Sequence, residues 1–149
     1  MGESMRFFCL ILMLTLCLLI ASKAAGQTAC SKEQHNQASN EADRLDSWGS
    51  MHRFYIHYRQ CDDGGIGEGV SESVTKLLAN RWGDFAKLAA MSAAEPGFEK
   101  FVLRHVDATV PVETLRRISK NARERCQEKS ELCKKVADAA SLAIKEIRN

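Results

Sequence analysis

The chain has 149 residues, 27% of them charged, with 21 basic and 19 acidic side chains and a formal net charge of +2. So small an imbalance excludes a globally basic nucleic-acid binder and a protein held to anionic lipid by its net charge. The length fits one domain with a core that can stand without a cofactor.

In chain order, Arg6 comes first, followed by the apolar run FFCLILMLTLCLLIA (residues 7–21) and then SKAAGQ. A basic residue, a hydrophobic stretch and small residues at a cleavage point make a Sec-type signal peptide. The run falls short of the roughly 20 apolar residues that a bilayer-spanning helix needs. We therefore expect a signal peptide over 1–25, a helical domain over 26–149, a secreted or periplasmic location, and no stable membrane insertion after cleavage.

Cys9 and Cys17 leave with the leader, so Cys30, Cys61, Cys126 and Cys133 remain. In an oxidising compartment these predict one or two disulfides, and four cysteines allow three pairings.

The rest of the chain reads as helices joined by short punctuation. Ser31 and Gln34 suit a capping box for a polar first helix with Ala38, Ala42 and Leu45 on its apolar side. Gly49 and Ser50 predict an interruption, after which Met51, Phe54, Tyr58 and Cys61 recur at helical spacing. One straight helix between Cys30 and Cys61 would hold them about 45 Å apart. That pairing therefore demands a hairpin turn, expected at residues 48–50.

Next comes CDDGGIGEG, with four glycines and three carboxylates in eight positions. It reads as a flexible corner before a helix that begins near Glu68 to Ser71. No phosphate-binding glycine pattern is present, and the alternating ligand spacing of a calcium loop is missing.

Val70, Val74, Leu77, Leu78 and Trp82 form the following stripe, and Asp84 can cap a short continuation. Pro96 suits a first helical turn ahead of Phe98, Phe101, Val102 and His105. Thr109 and Pro111 open a helix with Leu115, Ile118 and Ala122 inside. QEKS connects it to a last helix capped by Ser130. Cys126 and Cys133 bracket that connection, where an αα-hairpin could bring them together. The fold expected is all-α: a small single-domain bundle of about six helices braced by those disulfides.

Charge is unevenly spread. Residues 27–115 carry 9 basic and 13 acidic side chains, whereas residues 116–135 carry 8 and 3. Arg116, Lys120 and Arg123 share one helical stripe, which Arg125 extends. Such a face suits an acidic partner or a solvated surface. Catalytic signatures of the G-x-S-x-G or H-E-x-x-H kind are missing, and the cysteine spacing is not that of a zinc site.

The function expected is that of an exported, non-catalytic binding protein, acting as inhibitor, immunity-type protector or accessory subunit on another exported protein. Its contact residues would be Asp62, Asp63 and Glu68 on one side and Arg116, Lys120, Arg123 and Arg125 on the other. No cofactor, metal or nucleic acid is expected. The alternatives are a small hydrolase or lyase using His105 with Asp62, Asp63 or Glu68, and a small-ligand carrier lined by Trp48, Tyr55, Tyr58 and Trp82.

Overall fold

A computed structural model describes residues 29–126 and 130–149. The expected signal peptide, with Cys9 and Cys17, and most of the QEKS connection lie outside the described residues. Those residues form seven α-helices and no strand, so the all-α expectation holds with one helix more than anticipated. They are α1 (Lys32–Ala42), α2 (Trp48–Tyr58), α3 (Gly64–Asn80), α4 (Phe85–Ala94), α5 (Pro96–Arg104), α6 (Val112–Glu124) and α7 (Glu131–Ile147). Short 3-10 turns occupy Arg59–Cys61 and Trp82–Asp84.

The capping signals near the N-terminus act as expected at α1. Ser31 Oγ accepts from the Gln34 N–H at 3.2 Å, and the Gln34 side chain accepts from the Ser31 N–H at 3.1 Å. The hairpin that follows is earlier than residues 48–50. Ser47 is extended and caps α2 by accepting from the Ser50 N–H, while the Ser50 hydroxyl accepts from the Ser47 N–H. That reciprocal pair carries Gly49 into the first helical turn, so the chain reverses over 43–47 instead. The reversal brings the Cys30 and Cys61 Cα atoms to 4.9 Å in a disulfide.

The glycine-rich corner is not a corner either. Helix α3 starts at Gly64, where φ is +47°, a left-handed angle that glycine tolerates better than other residues. Ile66, Val70 and Val74 are 0–4% exposed, and this burial outweighs the poor helix propensity of Gly65, Gly67 and Gly69. Gly69 also faces Ala42 of α1, whose Cβ would lie 3.5 Å from an added Cβ, so the two helices meet on small residues.

The core gathers Trp48, Met51 and Phe54 of α2, Leu78 of α3, Leu88 of α4 and Phe98 of α5. Leu115 and Ile118 of α6 join Val136 of α7 in the same cluster. Each such side chain contributes about 1.5–3 kcal/mol on burial. Trp48, Tyr55 and Trp82 belong to this core and Tyr58 packs against it, so these aromatics build the interior of the fold.

Two devices hold the C-terminal half. Buried Asn121 donates from Nδ2 to the Leu78 and Ala79 carbonyls at 3.0 and 2.9 Å, satisfying groups that the end of α3 leaves without helical partners. The Cys126–Cys133 disulfide, with Cα atoms 6.3 Å apart, closes the α6–α7 hairpin. Two disulfides fit an oxidising compartment. Among the described residues no helix is long and apolar enough to cross a membrane.

Candidate functional site

The 3-10 turn that ends at Cys61 points the Asp62 side chain inward, leaving it 1% exposed. Opposite stands the end of α5, where Arg104 and His105 are consecutive. His105 Nε2 lies 3.0 Å from Asp62 Oδ2, and Arg104 forms an ion pair with the same oxygen. An ionised carboxylate only accepts, so the bond to His105 is donated from Nε2–H.

The other ring nitrogen, Nδ1, lies 2.9 Å from the Ser71 hydroxyl of α3. In the neutral ring Nδ1 is then the acceptor and Ser71 the donor. The imidazole and the Phe101 ring meet in a T-shaped arrangement, with centroids 4.8 Å apart. A continuous Asp62–His105–Ser71 chain thus joins three elements, with every member buried.

Burial pushes the Asp62 carboxyl up, but hydrogen bonding and charge from His105, together with Arg104, outweigh it and hold the group below the usual carboxylate range. Asp62 therefore stays ionised where it anchors His105.

Ser71 lies on the wall of a cleft of about 670 Å³ between α3 and the segment leading into α6. Glu68, Glu72, Lys76 and Asn80 form the α3 side, with Thr109, Val110, Pro111 and Thr114 opposite. Glu68, Glu72 and Lys76 recur every four residues, so they make one stripe along the helix. None of the three forms an ion pair with another described residue.

Protein-family models, curated proteins and solved structures offer no match to this chain. Its own residues must carry the functional argument.

The structure divides the residues singled out in the sequence. Asp62 meets His105, but its carboxylate is buried and cannot serve as a surface contact. Asp63 is exposed at the start of α3 and makes no side-chain cap. Glu68 sits on the rim of the cleft.

The basic residues are exposed, yet the fold answers most of them. Arg116 pairs with Glu113 at 3.5 Å and Lys120 with Glu124 at 3.9 Å. Arg123 donates to the Ser141 hydroxyl and Arg125 to the side-chain oxygen Oδ1 of Asn121. Among the described residues no group of three His, Cys, Asp or Glu side chains is placed to hold a metal ion.

Ser71, Glu72, Lys76, Arg104 and Thr114 were missed by the sequence reading. Ser71 and Thr75 had a legible signal, since two hydroxyls one turn apart fall on a face whose neighbours Val74 and Leu78 are apolar. Buried polar groups in such a position need partners.

Proposed function

We propose that this chain is an exported helical binding protein, secreted or periplasmic, that acts on another exported protein as an inhibitor, immunity-type protector or accessory subunit. The observation that carries this reading is the α3 cleft, because its Glu68, Glu72 and Lys76 rim has no ionic partner within the described fold. Charges left unanswered beside a concave surface are available to a complementary partner, whose approach they orient. The apolar run after Arg6 and the two disulfides support the exported location.

The contact surface is the cleft rim, to which exposed Asp63 adds an acidic group at the start of the same helix. The α6 stripe of Arg116, Lys120, Arg123 and Arg125 offers a second, basic contact. Its local pairs with Glu113 and Glu124 are exposed, so each is worth only a few tenths of a kcal/mol and yields readily to a partner.

The test is affinity capture from the exported fraction of the native cell with the oxidised mature chain, followed by titration of the purified partner. E68K/E72K is expected to weaken that partner at least tenfold. R116E/K120E/R123E reports on the second contact. Undiminished binding by both charge-reversed chains would remove the proposed surfaces.

A further inference from the structure

The Asp62–His105–Ser71 chain has a direction. The Asp62 side chain is 1% exposed and that of His105 6%, while Ser71, itself only 6% exposed, is the member whose residue lines the cleft. We propose that Ser71 is a nucleophile activated by His105, and that the cleft hydrolyses a carboxylic ester bearing a positively charged group. This goes beyond partner binding and rests on that reading only in using the same cleft.

The geometry supplies each role. Asp62 positions the imidazole by taking Nε2–H at 3.0 Å, which leaves Nδ1 free to accept the Ser71 proton at 2.9 Å. The same carboxylate favours the imidazolium that forms when the proton moves. The assignment of the two ring nitrogens is the reverse of that in the chymotrypsin-type triad, but the relay needs only one nitrogen towards each partner.

Ser71 is the eighth residue of α3, where backbone N–H groups are engaged in the helix. Charge on the carbonyl oxygen must therefore be met by side chains. Lys76 and Thr114 line the same cleft, and neither side chain bonds to another described residue. Glu68 and Glu72 on the rim give the cleft its preference for a cationic substrate.

In the reaction the Ser71 oxygen bonds to the acyl carbon while its proton passes to His105 Nδ1. The tetrahedral adduct collapses, the carbon–oxygen bond to the alcohol breaks, and the alcohol leaves with that proton. Water then attacks the acyl-serine by the same path, releasing the acid and returning the proton to Ser71. Ester and water become acid and alcohol, with no redox change.

The experiment uses the oxidised mature chain, a fluorophosphonate probe, and peptide mapping by mass spectrometry. The expected result is one adduct, on Ser71, in native but not denatured protein. H105Q should slow labelling at least a hundredfold while its melting transition shows it folded at the assay temperature, and D62N should slow it and change its pH profile. A lysine or arginine ester should be cleaved faster than a neutral acyl ester of the same alcohol, with E68Q/E72Q narrowing the difference.

An unlabelled native chain, a label on another residue, or a folded H105Q chain that reacts at the wild-type rate would overturn the proposal. Partner capture by S71A separates the two readings. Capture retained with labelling lost leaves binding intact, whereas labelling without any partner leaves only the chemistry.

Discussion

His105 and Asp62 stand 3.0 Å apart across 43 residues of chain, and the carboxylate between His105 and Arg104 is held ionised below its usual range. The folded chain therefore binds fewer protons at this site than the unfolded chain as pH falls. Stability from Asp62 is fully present above the ordinary aspartate value of about 4 and is lost as pH drops through the lower folded value.

D62N leaves His105 and the half-exposed Arg104 without their anion and should cost about 1–3 kcal/mol at pH 7. Urea unfolding of wild type and variant from pH 7 to 2.5 should show that gap shrinking on the acid side. A gap independent of pH would contradict the assignment.

Adjacent glycines at the start of α3 should respond in opposite directions. Gly64 has φ +47°, so G64A forces an L-residue into the left-handed region and should cost about 1–2 kcal/mol. Gly65 has no such angle, and an added Cβ meets nothing within 4 Å. G65A should therefore stabilise by about 0.5–1 kcal/mol through helix propensity and a less flexible unfolded chain. Thermal melts of the two variants beside wild type decide the matter.

Gly97, in the first turn of α5, meets the Tyr55 hydroxyl so closely that a Cβ would overlap it. G97A should cost about 1–3 kcal/mol because the buried Tyr55 ring is wedged against Phe98 and Phe101 and has little room to move. Y55F removes the obstructing oxygen, so G97A in the Y55F background should cost clearly less. A double-mutant cycle on folding free energy measures that difference, and additive effects would refute the clash.

The disulfides should contribute unequally. Cys30–Cys61 spans a sequence separation of 31 and Cys126–Cys133 one of 7. Loop-closure entropy assigns them about 3.7 and about 2.5 kcal/mol respectively. C30S/C61S should therefore lower the unfolding free energy by more than C126S/C133S, as read from denaturant midpoints at a common slope. The reverse order would show that constraint of the unfolded chain is not the dominant effect.

Much of the fold was legible because it is written in local patterns. The Ser31/Gln34 box, Pro96 in a first turn and Ser130 before α7 are read within four residues and act where expected. The start of α3 was misplaced because glycine propensity is a local quantity, whereas the burial of Ile66 and Val70 that overrides it depends on the rest of the molecule. In the same way Ser47 displaced the turn that Gly49 suggested.

The site was half legible. His105 and Asp62 drew attention as chemical types, but nothing in the sequence joins Ser71 to them, since their meeting depends on the fold bringing the end of α5 to Ser71 of α3. Burial of the Asp62 carboxylate was likewise hidden, because an acidic glycine-rich stretch reads as surface until the fold turns one of its members inward.

The residue before Asp62 is Cys61, half of the longer crosslink. Position 62 is therefore anchored to its neighbours in the fold by a covalent bond that a reducing cytosol would not maintain. Loss of that crosslink would release the segment that holds the Asp62 carboxylate against His105, so the order of the Asp62–His105–Ser71 chain is coupled to the redox state of its surroundings.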